Sequence, residues 1–186
     1  LVILAEQHIG MKGKQDEHVV MSFDQYMGDL YPFSLNEKVE RMTEPSPWYT
    51  NVGGSRSPWK QAIIPFEMVS VLTEYSAREA EIPRKGPAVG LFVDQEIKLI
   101  NGPLFVNHPY RLQREVIHLA ESRRVESSWT LTKVYDEKSN ELVAECILNH
   151  SLIKSSYENY EEEAIALGKS ATHQISGNKI STGTRS

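Results

Sequence analysis

The sequence has one cysteine, no apolar run of membrane-spanning length and no excess of positive charge, and each shortage removes a class of protein. A lone Cys146 cannot form an intramolecular disulfide, so the fold does not depend on a disulfide framework; its place in an apolar run predicts a small packed core residue rather than a nucleophile. The opening Leu-Val-Ile-Leu-Ala is far short of the ~20 residues that cross a bilayer, and it lacks the charged start and cleavage site of a signal peptide. No membrane contact is expected, and a cytoplasmic or organelle-lumen location fits best. The first residue is Leu rather than Met, which fits a processed or trimmed chain. A net charge of −5, with both signs mixed along the chain, gives no basic stripe for nucleic acid. No Cys/His cluster has metal-ligand spacing, neither a nucleophile elbow nor a phosphate loop occurs, and no cofactor is expected.

What remains is 186 residues, enough for one domain that buries about two-thirds of its unfolded surface. Residues 1–166 are expected to form that domain. From Leu167 to Ser186 the chain is rich in Gly, Ser, Thr and Lys, cannot offset its ordering entropy, and is read as a disordered tail. The run Glu161-Glu162-Glu163-Ala164 before it reads as a solvated charge run by default, with a short helical turn as the other possibility.

The second half carries strand signals. Runs rich in Val, Ile, Leu, Trp, Tyr and Thr at Tyr110–Leu119, Val125–Tyr135 and Leu142–Ile153 predict a meander, and Asp136 to Glu141 is a turn cluster of hairpin-closing length. Val89–Ile100 predicts a further strand, ended by Asn101-Gly102-Pro103. In the first half, Ser34-Leu35-Asn36-Glu37 is a capping box, which predicts a short helix to Met42. Thr43 to Pro58 holds three prolines and two glycines and is loop. Pro65 marks the start of an apolar helix from Ile63 to about Tyr75. Ile64, Met68, Val71, Leu72 and Tyr75 mark one face, and Phe66 and Val69 widen it. A helix so apolar must be covered, and the strands that follow are the available cover. The expected class is α+β: an antiparallel sheet wrapped around one central helix.

From about Phe23 to Tyr157 this order, with three local stretches, resembles the MaoC-like acyl dehydratase and (R)-specific enoyl thioester hydratase branch of the hot-dog fold. Glu44-Pro45-Ser46-Pro47-Trp48-Tyr49 is similar to that branch's Asp-x-Asn-Pro-x-His loop. Trp59 to Met68 resembles its Gly-Gly-x-Ile-Ala-Pro-Pro entry to the central helix, and Val116 to Trp129 carries a basic element, Glu121-Ser122-Arg123-Arg124, at a turn between strands. The resemblance implies acid/base chemistry on an acyl thioester or polyketide-type substrate: dehydration, hydration, or a diverged cyclisation or isomerisation. Position by position, Glu44 replaces the Asp, Ser46 the Asn and Tyr49 the His. A glutamate still serves as a general base; a phenol, which ionises near pH ~10 in model peptides, serves better as a donor.

The resemblance further implies an oxyanion site from an amide near Ile63, Ile64 or Phe66 at the helix start. Trp48 is expected to line the pocket. Glu67, in the first turn, is either a helix-terminal charge of structural value or a pocket acid. His150 either hydrogen-bonds within the sheet or points into the pocket in place of the missing loop His. Arg123 and Arg124 either form a solvated basic turn or meet a coenzyme A or carrier-protein phosphate. A homodimer, or a hetero-oligomer with another hot-dog subunit, is expected. Two other functions stay open: a non-catalytic subunit or binding module that needs a partner, and an acyl thioesterase.

Overall fold

The computed structural model describes residues 1–28, 31–74 and 82–169. Five antiparallel strands form one sheet in the order β1-β3-β4-β5-β2: β1 is Glu17–Val19, β2 Gly90–Leu99, β3 Tyr110–Glu121, β4 Val125–Asp136 and β5 Leu142–Ile153. The three long strands of the meander lie where the strand signals place them, each within two residues. The hairpin between β4 and β5 is closed by the predicted turn: Asp136 Oδ1 accepts from the amides of Lys138 and Ser139, both at 2.8 Å, and Asn140 takes a positive φ of 60°. β1 was not predicted. Its Glu-His-Val has no strand signal of its own and is held by pairing with Tyr110–Leu112.

The capping box is present at α1 (Leu35–Glu40): the Ser34 side chain accepts from the Glu37 amide while Glu37 reaches back to the Ser34 amide at 2.7 Å. A four-residue helix, α2, spans Asn51–Gly54. The central helix, α3, spans Phe66–Glu74 and so begins three residues later than the sequence predicts, immediately after the proline rather than before it. The reason is local. Ile63 forms a β-bridge with Phe105, and the Ile64 amide donates to the Leu104 carbonyl at 2.7 Å, so both residues are tied in extended conformation before Pro65. Tyr75 lies outside the described residues.

α3 packs its Met68, Val69, Val71 and Leu72 against Tyr110, Leu112, Val134 and Ala144 of the sheet, the core of the molecule. The covered face of β4 and β5 is the one with the smaller side chains, Thr132, Val134, Ala144 and Cys146, which lets a helix approach closely; Trp129, Leu131 and Tyr135 lie on the other face, half-buried. Arg114 is in phase with Leu112 and Val116, and with 2 % exposure it sits beneath the C-terminal end of α3, paired with Glu17 of β1 and donating to the Thr73 carbonyl at 2.7 Å. Cys146 is buried beside this group, and burial pushes its thiol up to about 11. It is a packed residue, as expected.

A second cluster closes the other end of the sheet. Val2, Ile3 and Leu4 pack with Leu152, Tyr160 and Ala164. Their backbone is anchored by the fully buried Glu126, whose carboxylate accepts from the amides of Val2, Ile3 and Leu4 at 2.5, 2.8 and 2.9 Å. The acidic run is therefore not merely solvated. It forms α4 (Tyr160–Ala166), with Tyr160 and Ala164, four residues apart, on one buried face. Lys169 follows and pairs with Glu121 at 2.7 Å. Glu121 also holds Lys154, at 2.6 Å; the two cations outweigh partial burial and bring its carboxyl down to about 2. Most of the predicted tail, residues 170–186, lies outside the described residues. No helix among the described residues is long and apolar enough to cross a membrane.

Candidate functional site

The loop before α3 is ordered by its own short-range bonds. Ser46 caps a 3-10 turn over Pro47–Tyr49 by accepting from the Trp48 amide at 3.3 Å, and Thr50 caps α2 by accepting from the Gly53 amide at 3.0 Å. Gly53 is required for closeness: a Cβ there would lie 1.9 Å from the Pro47 carbonyl oxygen. The loop is then fastened to the entry of the helix, because the Ile63 amide donates to the Trp48 carbonyl at 3.0 Å. Trp48 meets Trp59 edge-on at 5.8 Å between ring centroids, and Trp59 in turn meets Phe105 at 6.3 Å.

Six of the residues singled out from the sequence lie on this loop and helix entry. Glu44 is exposed and, among the described residues, makes no hydrogen bond or ion pair; Tyr49 is half-buried with its hydroxyl likewise unbonded. Trp48 is 37 % exposed and Ile64 buried. Phe66, expected on the covered side of the helix, is 58 % exposed. Glu67 faces outward and pairs with Lys38 of α1 at 3.0 Å, a surface contact that links the two helices. Because the amides of Ile63 and Ile64 are already bonded, the amides left for an oxyanion at this helix end are those of Phe66 and Glu67.

The other three lie elsewhere. His150 is on β5 opposite Ser128, and Arg123 and Arg124 are in the exposed β3–β4 turn, where the Arg124 carbonyl accepts from the Lys154 amide at 3.0 Å. Ser128 and Asp136, the partner of Tyr110, are eight residues apart on β4, which is about 26 Å at the rise of a strand. The Glu44 loop and the His150/Arg123/Arg124 group thus occupy opposite ends of the sheet.

One pair near the loop has no signature in the sequence. His108 Nε2 lies 2.5 Å from Asp136 Oδ2, and its ring contacts Phe105 at 6.3 Å and Tyr110 at 4.9 Å, so it continues the aromatic row that begins at Trp48. Partial burial works against the Asp136 charge, yet the Ser139 amide, His108 and the Lys138 amide together hold its carboxyl below the usual range. The carboxylate fixes which imidazole nitrogen faces it and leaves Nδ1 for another partner. In sequence the two residues are separated by the whole of β3 and β4, and His108 carries no signal beyond standing before Pro109.

No protein-family model and no curated protein matches the chain. Solved structures do. The chain is similar to the C-terminally truncated HadBC (3R-hydroxyacyl-ACP dehydratase) complex from Mycobacterium tuberculosis, with a TM-score of 0.60 and 14% identity over 78% of this chain and 98% of that one. It is similar to the MaoC-like dehydratase from Rhodospirillum rubrum, at 0.56 and 8% identity over 82% and 97%, and to the (R)-hydratase from A. caviae, at 0.54 and 13% identity over 78% and 97%. At these identities the likeness is one of fold. A five-stranded antiparallel sheet laid over one central helix, shared with MaoC-like dehydratases and (R)-hydratases across most of their length, gives this chain the hot-dog fold.

Proposed function

We propose that this chain is a hydratase- or dehydratase-type hot-dog subunit that acts on an acyl thioester by acid/base proton transfer. The observation that supports this most is the hydrogen bond from the Ile63 amide to the Trp48 carbonyl, which fastens the loop that carries Tyr49 and, further upstream, Glu44 to the entry of α3, just ahead of the first-turn amides of Phe66 and Glu67. In hydration, Glu44 takes a proton from water as its oxygen adds to C3 of the enoyl thioester. The charge that gathers on the thioester oxygen is met by the first-turn amides, and C2 then receives a proton. Tyr49 donates a hydrogen bond to substrate or water, and Trp48 walls the site.

The outer edge of β2 supports the expected partner. Among the described residues this ten-residue strand is bonded only to β5, and it exposes Leu91, Phe92 and Val93 at 44, 64 and 54 %. An unpaired, apolar edge of that length is suited to pairing with a second strand. A second copy of this chain, or another hot-dog chain, would cover it.

A second reading, the non-catalytic subunit, is favoured by the exposure of Glu44 and its lack of any fixing partner among the described residues. Turnover of crotonyl-coenzyme A by the purified protein, followed through loss of the enoyl thioester absorbance, separates the two. Under the first reading, Glu44→Gln lowers kcat by about 10²-fold or more, with the melting temperature unchanged because the side chain is on the surface. Retained activity in that variant rules out Glu44 as the acid/base. No activity alone, with activity gained on adding a second hot-dog chain, supports the subunit reading.

A further inference from the structure

The segment 82–89, which leads into β2, lies against the helix-bearing face of the sheet and leaves a cleft of about 300 Å³ against β5. That volume is at the lower end of small-molecule sites. Cys146, Leu148, His150 and Leu152 alternate onto this face, so the His150 ring projects into the cleft rather than to the outer surface. Two neighbours hold the ring in place. Phe92 meets it edge-on at 5.9 Å, and Gly90 makes room for it, since a Cβ on Gly90 would come within 2.5 Å of His150 Nε2.

The polar groups here are unevenly committed. Lys85 pairs with Glu163, and its amide donates to the Ile3 carbonyl at 2.7 Å. Arg84 is exposed at the mouth and, among the described residues, has no carboxylate partner. Both ring nitrogens of the half-buried His150 are without a hydrogen bond among the described residues. Burial, and to a smaller degree the Arg84 charge, lowers the His150 pKa, so near neutral pH the ring is uncharged and offers one N–H. The rest of the wall is apolar or small: Gly86, Pro87, Ala88, Gly90 and Leu152.

We infer that this cleft binds a small amphipathic carboxylate, with the Arg84 guanidinium on the carboxylate, the His150 ring as a second donor, and Pro87, Ala88 and Leu152 against the apolar body. A guanidinium fork matches a carboxylate with two parallel bonds. The apolar wall adds affinity only for a ligand that carries a hydrocarbon portion. The site is at the opposite end of the sheet from the Glu44 loop, so ligand binding here and thioester turnover there are separable measurements.

The test follows the histidine ring resonances of the isotope-labelled full chain during titration with hexanoate, inorganic phosphate and hexylammonium, with His150 assigned from a His150→Gln variant. Hexanoate is expected to shift the His150 signal saturably, phosphate at least tenfold more weakly and hexylammonium not at all. Arg84→Ala, a surface change that leaves the other histidine signals in place, is expected to weaken hexanoate binding at least tenfold. The inference is overturned if hexanoate leaves His150 unmoved, if phosphate binds as tightly as hexanoate, or if Arg84→Ala binds hexanoate like the parent protein.

Discussion

Glu74, the last residue of α3, is buried in the polar group beneath the helix, and burial raises its carboxyl pKa from 4.5 to about 7 despite the attraction of Arg114. The Arg114 guanidinium is shared with Glu17 and the Thr73 carbonyl, so it only partly offsets the loss of hydration at Glu74. The sign of the effect on stability follows. Below pH 4.5 the group is protonated in both folded and unfolded chains and contributes nothing pH-dependent. Between 4.5 and about 7 the unfolded chain releases the proton while the folded one keeps it, so stability falls as pH rises; above 7 both are ionised and the penalty is constant. At about 1.4 kcal/mol for each pH unit, the full loss is about 3 kcal/mol. Glu74→Gln keeps the shape and removes the titration. Urea unfolding at intervals from pH 4.5 to 7.5, with unchanged m values, should show the variant gaining about 3 kcal/mol relative to the parent as pH rises. A difference between the two proteins that stays constant within about 0.5 kcal/mol over that range refutes the reasoning.

Two further outcomes follow from the fold. Glu126→Ala strips three backbone amides of their acceptor in a buried setting, and each such loss costs about 1–3 kcal/mol; the expected result is a lower urea midpoint and rapid proteolytic removal of the first residues, whereas an unchanged midpoint would mean the N-terminal segment is not held by this carboxylate. Phe92→Lys places a charge on the apolar edge of β2, at a side chain 64 % exposed in the single chain. Sedimentation should show a parent protein that self-associates or pairs with another hot-dog chain, and a variant that does neither while keeping its circular dichroism; association equal to the parent's places the interface elsewhere.

What could be read from the sequence depended on whether the signal was local. The α1 cap was legible because Ser34 and Glu37 make both of their bonds within one turn. The meander was legible because β3, β4 and β5 are long, rich in strand-forming residues and divided by turn chemistry that works over a few residues. The helix starts three residues later than its composition suggests, because Ile63 and Ile64 look helical and only the approach of Leu104 and Phe105 holds them extended. α4 looks like a charge run in sequence because the surfaces that receive Tyr160 and Ala164, Leu152 and the N-terminal residues, lie far away in sequence.

The candidate site divides in the same way. Its loop and its helix entry lie within one stretch of chain, residues 44–67, so the sequence alone singled out Glu44, Trp48, Tyr49, Ile64, Phe66 and Glu67 as one candidate group, and it determined that a helix covered by an antiparallel sheet follows. The tertiary structure alone decided that His150 and the two arginines belong to the opposite end, that His108 is set against Asp136, and that Arg114 is buried rather than exposed. Strand register and crossover path decide these relations, and both are fixed by the joint burial of apolar faces, a property of the assembled sheet and helix rather than of any stretch of residues.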